Sequence, residues 1–185
     1  MKRLAIVALS ALMSVNAFAL FSETESNNTR ATADAVLYAN VAPWSDVGVL
    51  SLSGGDSDFF RIRLNAGDFL TAATFPILNN GQTPNTVMAL FDASGTTALV
   101  FNDDFAIGKG SALIYTAATS GDYFLAITGW HGPNGQDQLN YYEGVTHSES
   151  GSYILTVSVV PEPASMLALG VGLAGLAGLR RRNRK

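Results

Sequence analysis

Two short stretches of this sequence hold oxygen-bearing side chains of the kind that bind hard cations. Glu23, Glu25 and Asn27 alternate along one polar segment, and Asp56 and Asp58 lie at the start of a predicted strand. Ca²⁺ takes about six to eight carboxylate, amide and carbonyl oxygens at about 2.3–2.6 Å. The pattern indicates a calcium site. The alternative is that both glutamates are solvated and Asp56 is an ordinary turn residue.

Other polar residues give weaker indications of a metal site. His131 and His147 share segment 129–151 with Asp137 and Glu143, but no His-x-x-x-His spacing places them on one element, so no zinc motif supports a zinc site. Asp103 and Asp104 are either a second ligand pair or a turn.

Three aromatic residues of the same segment suit a different chemistry. Trp130, Tyr141 and Tyr142 stand among amides and carboxylates, a composition that favours stacking against sugar rings. The alternative is that these rings pack onto the domain and are covered.

The motifs of secreted hydrolases and nucleotide-dependent enzymes are absent from the sequence. It has no Gly-x-Ser-x-Gly elbow, no His-Glu-x-x-His and no glycine-rich phosphate loop. It has no cysteine, which excludes a thiol nucleophile and a disulfide framework. A glycosidase needs two opposed carboxylates, and nothing in the sequence selects such a pair. We therefore predict that the protein is not an enzyme.

The first residues are typical of a cleavable signal peptide at 1–19. Lys2 and Arg3 precede an apolar stretch, and Ala17 and Ala19 form a small-x-small cleavage site. We expect signal peptidase to cut there, so that an exported domain of residues 20–160 follows.

The last segment, residues 161–185, has three parts in a fixed order. Pro161, Glu162 and Pro163 precede an apolar stretch at 164–179, which predicts a short membrane helix. A basic cytoplasmic tail at 180–185 follows and includes Arg180, Arg181 and Arg182. These parts resemble the PEP-CTERM sorting signal of exported bacterial proteins. The resemblance implies processing by an exosortase, transient anchoring in the inner membrane through 164–179, and delivery to the cell surface or extracellular matrix.

The exported domain is strongly acidic. Residues 20–160 hold four bases and 14 acids, a net charge of −10, whereas the whole chain carries −4 because its ends are basic. Such a domain repels nucleic acid and anionic membrane and attracts cations. We therefore exclude nucleic acid as a partner.

Short apolar stretches separated by Gly, Asp and Asn turns predict eight strands, and apolar and polar residues alternate in 58–64 and 152–159. The strands span 47–53, 58–64, 69–75, 86–92, 98–102, 112–117, 123–128 and 152–159. They indicate an all-β fold, a single antiparallel β-sandwich. The predicted inward face is Phe60, Ile62, Leu64, Leu90, Leu125, Ile127, Tyr153, Leu155 and Val157. Segment 129–151 is long for a connection between strands and predicts either a binding loop or a cover over one end of the sandwich.

Several motifs of the exported domain resemble the bacterial pre-peptidase C-terminal domain. They are Glu-x-Glu-x-Asn-Asn at 23–28, Gly-Asp-Ser-Asp-Phe-Phe at 55–60 and Ser-Gly-Asp-Tyr-Phe at 120–124. The resemblance implies a jelly-roll-like sandwich. It also implies one calcium site that joins Glu23, Glu25 and Asn27 to Asp56 and Asp58.

These features together predict a non-enzymatic protein of the cell envelope or extracellular matrix, linked to exopolysaccharide or biofilm. One alternative is a carbohydrate-binding module that uses the 129–151 loop. A secreted hydrolase is the other.

Overall fold

The structure is a computed structural model that describes residues 18–79, 81–105, 108–132, 135–161 and 172. Most of the predicted signal peptide, the membrane helix at 164–179 apart from residue 172, and the basic tail at 180–185 lie outside the described residues. Within the described part of the chain, no helix is long and apolar enough to cross a membrane.

Nine described strands form two sheets that pack face to face. They are β1 (Phe18–Phe21), β2 (Trp44–Leu52), β3 (Ser57–Leu64), β4 (Phe69–Pro76), β5 (Thr86–Asp92), β6 (Val100–Asn102), β7 (Ala112–Thr116), β8 (Gly121–Gly129) and β9 (Gly151–Val160). One sheet has the order β1-β2-β9-β4-β7, and the other has the order β3-β8-β5-β6. The paired strands run antiparallel, except that β1 runs parallel to β2. Two single 3₁₀ turns lie at Arg30–Thr32 and Leu139–Tyr141.

All eight predicted strands are present, as β2 to β9, and the all-β sandwich is confirmed. The bounds of β5 are as predicted, and the other strand ends differ by at most three residues. Short apolar stretches between turn residues therefore identify these strands, because at least one face of each must meet the opposite sheet.

The ninth strand, β1, was not predicted, because its residues coincide with the end of the predicted signal peptide. It places Phe18 and Ala19 beside Ser45 and Asp46 of β2. Its Phe21 packs edge-to-face on Phe60, with ring centroids 5.8 Å apart. The Phe21 ring lies over Gly48, where an added Cβ would stand 2.7 Å from the ring. The position of the signal-peptidase cut stays a prediction.

The main core lies between the sheets and contains all nine residues of the predicted inward face. Phe60, Ile62 and Leu64 of one sheet meet Tyr153, Leu155 and Val157 of the other. Asp58 continues the same row on β3, since side chains two residues apart share a face. Asp58 therefore faces inward, at the edge of the core.

A second apolar cluster covers the outer face of the four-stranded sheet. Its members are Phe59, Val87, Ala89, Phe91 and Ala126 from the strands, together with Leu139, Tyr141 and Tyr142 from segment 129–151. This part of the segment therefore covers a sheet face, and for this reason β5 is buried on both sides. Farther along the segment, the His147 carbonyl accepts from the Gly55 amide at 3.0 Å, in the turn between β2 and β3 at one end of the sandwich.

Candidate metal centre

The polar segment that follows β1 is held against the edge of β3. The amide of Phe59 donates to the carbonyl of Asn27 at 3.0 Å. Farther along, the amide of Asp34 donates to the carbonyl of Phe59, and the amide of Arg61 donates to the carbonyl of Asp34, both at 2.8 Å. Since β3 is an edge strand, these bonds satisfy backbone groups that would otherwise be open. They also bring residues 23–27 close to Asp58.

Three carboxylates meet at this edge. One carboxylate oxygen from each of Glu23, Glu25 and Asp58 lies within 4.8 Å of the other two. Asp58 is completely buried, Glu23 is half-buried and Glu25 is exposed. Within the described residues this is the one place where three acidic or histidine side chains come so close together.

Several buried atoms around this cluster have no hydrogen-bond partner among the described residues. They are Oε2 of Glu23, Oδ1 of Asp58, and both Oδ1 and Nδ2 of Asn27. The other oxygens of the two carboxylates are used: the Ser51 amide donates to Oε1 of Glu23 at 2.9 Å, and the Tyr153 hydroxyl donates to Oδ2 of Asp58. An unpartnered buried polar atom costs about 1–3 kcal/mol, so these oxygens are the ones a ligand would satisfy.

The electrostatics of the cluster favour a bound cation. Burial, and then the charge of Glu23, raise the pKa of Asp58 well above its usual value. Burial also raises the pKa of Glu23 to about 7, with Glu25 and Asp56 adding repulsion. The pKa of Glu25 is raised by burial and by Asp56. No described lysine or arginine forms an ion pair with these carboxylates, so nothing in the described chain neutralises them.

Asp56 does not join the cluster, although the resemblance to the pre-peptidase domain implied that it would. Its carboxylate closes a turn, accepting from the Ser57 amide at 3.0 Å and from the Ser53 amide at 3.2 Å. Asp56 precedes β3, so the period of two that aligns Asp58 with the core does not extend to it. Its charge adds to the repulsion that raises the pKa values of Glu23 and Glu25.

The two histidines do not form a zinc site in the structure. The His131 ring stacks on Tyr141 with centroids 4.0 Å apart, and Nε2 of His147 lies 2.7 Å from the Asp56 carbonyl. The Asp103 carboxylate accepts from the side-chain amide Nε2 of Gln136 at 3.1 Å and stands apart from the carboxylate cluster. Neither set provides three converging ligands among the described residues.

Two of the three aromatic residues predicted to stack against sugar rings are buried. Trp130 is 40 % exposed, but Tyr141 is 3 % exposed and Tyr142 is fully buried. Tyr142 packs edge-to-face on Phe91 at 5.4 Å, and the Tyr141 hydroxyl donates to the Gly132 carbonyl at 3.1 Å. Both tyrosine rings belong to the second apolar cluster, which leaves Trp130 as the one exposed ring of the three.

A profile of the PEP-CTERM protein-sorting motif matches residues 159–182. The chain carries a PEP-CTERM sorting motif. The match includes the Pro161-Glu162-Pro163 triplet and Arg180 to Arg182, as predicted from the sequence. The motif marks an exported protein that an exosortase sorts. It begins within β9, and Pro161 directly follows the last residue of that strand.

Solved structures with a similar fold are distant in sequence. The PliG inhibitor of g-type lysozyme from Aeromonas hydrophila is 14 % identical and has a TM-score of 0.43; the match covers 78 % of this chain and 99 % of that one. The pre-peptidase C-terminal domain of a Bacillus anthracis collagenase is 14 % identical and has a TM-score of 0.38, with coverages of 78 % and 96 %. PliG from Salmonella Typhimurium is 11 % identical and has a TM-score of 0.39, with coverages of 76 % and 97 %. No curated protein matches the sequence.

Proposed function

We propose that this exported sandwich is a non-enzymatic protein of the cell envelope or extracellular matrix, and that it binds Ca²⁺ at Glu23, Glu25 and Asp58. The observation that carries the calcium site is the convergence of three carboxylates within 4.8 Å with no cationic partner in the described chain. The sorting motif supports the envelope location. We further propose that the protein has a role in exopolysaccharide or biofilm.

The donor set fits calcium better than softer metals. Glu23, Glu25 and Asp58 supply carboxylate oxygens, and Asn27 supplies an amide oxygen that has no other partner among the described residues. These are hard ligands, and neither histidine nor cysteine takes part. The ion would neutralise carboxylates whose pKa values burial has raised, and it would fix the polar segment 23–27 against β3.

Calcium titration of the exported protein, purified as the host processes it, tests the site. We expect one ion to bind with a dissociation constant of about 10⁻⁴ to 10⁻³ M, the range of extracellular calcium modules. Glu25→Gln with Asp58→Asn should abolish the binding heat, because two of the three charges are lost. Asp103→Asn with Asp104→Asn makes the same charge change elsewhere and should leave binding intact. The reverse result would place the ion at residues 103–104.

Processing provides a separate test of the route to the envelope. We expect the protein recovered from the envelope to begin near Leu20 and to lack the segment after the Pro161-Glu162-Pro163 triplet. Intact-mass measurement checks both ends at once. A mass that still includes residues 180–185, in cells with an active exosortase, would contradict sorting through this motif.

The matrix role is tested by deleting the gene in the host and measuring exopolysaccharide retention and biofilm mass. We expect both to fall and to recover when the wild-type gene is restored. Recovery by the Glu25→Gln, Asp58→Asn variant would separate the matrix role from calcium binding.

A further inference from the structure

The outer face of the five-stranded sheet carries no charged side chain on four of its strands. Its positions alternate with the core positions of β2, β9, β4 and β7. They are Ser45, Val47, Val49 and Ser51 on β2, Ser152, Ile154, Thr156, Ser158 and Val160 on β9, Phe69, Thr71, Ala73 and Phe75 on β4, and Ala112, Ile114 and Thr116 on β7. These positions form the neutral face. The four bases and 14 acids of residues 20–160 all lie elsewhere.

The strand register makes the neutral face continuous. One row across it runs from Ser45 through Ser158 and Thr71 to Ile114, and each residue pairs with the next on the neighbouring strand. At opposite sides of the face, Val49 on β2 and Ile114 on β7 are 56 % and 64 % exposed, so no described element covers them. The outer face of the other sheet is covered by segment 129–151. The sandwich therefore has one covered outer face and one bare, uncharged one.

Hydroxyl groups on the neutral face are already hydrogen-bonded within the sheet. The Ser45 hydroxyl donates to the Ser158 hydroxyl at 2.8 Å, which in turn donates to the Trp44 carbonyl at 3.3 Å. The Thr156 hydroxyl donates to the Ala73 carbonyl at 3.3 Å. Because these donors are satisfied, a dry contact can cover them without the cost of an unmade hydrogen bond. Such a surface suits another apolar sheet better than a ligand that is recognised through hydrogen bonds.

Charged groups of the sandwich lie behind the neutral face. The ion pairs of Arg61 and Arg63 with Asp122 are on the outer side of the four-stranded sheet. Sheets pack about 10 Å apart, which exceeds the Debye length of about 8 Å at physiological ionic strength. Two copies packed through their neutral faces would hold these outer surfaces about 30 Å apart, three sheet spacings. Nucleic acid and anionic membrane bring charge to the surface that is contacted, whereas this face does not. The charge of −10 therefore opposes contact between copies through other surfaces but not through this one.

We propose that the neutral face binds the neutral face of a second copy of the chain, which gives a symmetric dimer of two sandwiches. A two-fold interface uses the same surface on both copies, so a face without charges meets no like charge. Four strands about 4.8 Å apart, with about eight residues of about 3.3 Å each, give about 500 Å² on each copy. The total of about 1,000 Å² is the lower limit for a specific interface, and we expect a dissociation constant of roughly 10⁻⁵ M. The dimer goes beyond the proposed calcium site, which lies at the edge of β3.

Sedimentation equilibrium of the exported protein, purified as the host processes it, tests the dimer from about 1 to about 200 µM at constant calcium. Val49→Lys and Ile114→Lys should each raise the dissociation constant at least about tenfold, because the interface would bury an unpaired ammonium group. Both positions are exposed in a single copy, so the melting temperature of the dilute protein should change little. Thr96→Lys makes the same charge change at an exposed position between β5 and β6, outside the neutral face, and should dimerise as the wild type does.

A wild-type protein that stays monomeric at about 200 µM would overturn the proposal. So would a dimer that survives both Val49→Lys and Ile114→Lys, because it would use a different surface. Raising the salt concentration from about 0.05 to about 0.5 M screens the remaining repulsion and should tighten the dimer; a dimer that salt dissociates is held by ion pairs and also contradicts the proposal. A monomer that binds agarose, a neutral polysaccharide, and loses this binding in Val49→Lys would assign the face to sugar instead.

Discussion

Replacing Tyr142 by Ala should lower the free energy of unfolding by about 3–5 kcal/mol, the usual cost of removing a buried aromatic ring. Tyr142 is fully buried on the outer face of the four-stranded sheet and packs on Phe91 and Tyr141. Its removal leaves a cavity over β5 and detaches the cover that segment 129–151 provides. Urea unfolding of the exported protein measures the change.

Two matched variants identify the cause of this loss. Tyr142→Phe keeps the ring and removes a hydroxyl that has no partner among the described residues, so its stability should equal or slightly exceed that of the wild type. Trp130→Ala removes a larger ring from the same segment, but one that is 40 % exposed, and should cost under about 1 kcal/mol. A larger loss for Trp130 than for Tyr142 would mean that the cover over β5 contributes little to stability.

The strands could be predicted because each carries its own local signal, whereas what covers them depends on distant parts of the chain. Alternation places Phe60 and Leu155 inward without reference to the rest of the fold. The continuous apolar run of β5 was a usable signal for the second cluster, because a strand without alternation is buried on both faces. Segment 129–151 has no period, so its partner surface could not be predicted from its own residues.

The residues of the candidate site also differ in whether the sequence alone could place them. Asp58 could be placed, because it continues the inward row of β3. The position of Asp56 could not be predicted, because an aspartate before a strand can accept hydrogen bonds within its own turn. Asp56 does so from the Ser53 and Ser57 amides. The unpartnered atoms of Asn27 become visible only when the polar segment is seen beside β3.

Without calcium, the stability of the protein should fall as pH rises from about 4.5 to about 7. Burial raises the pKa of Glu23 from 4.5 to about 7 in the folded state, and the pKa of Asp58 is raised in the same direction. Between those pH values the folded state therefore holds more protons than the unfolded state, and the free energy of unfolding decreases with pH. Thermal melts in EDTA across this range should show a falling melting temperature.

Calcium should reverse this trend, because the bound ion stabilises the deprotonated carboxylates that repel one another in its absence. At about 100 times its dissociation constant the ion should add about 2.7 kcal/mol near neutral pH, a shift of roughly 10 °C for a domain of this size. Its affinity should rise with pH over the same range, since protons compete for the ligands. Glu23→Gln should reduce the slope of the EDTA profile, because this half-buried group no longer titrates while Asp58 still does. A melting temperature that is independent of pH in EDTA, or that falls equally with calcium present, would show that these carboxylates are not the binding site.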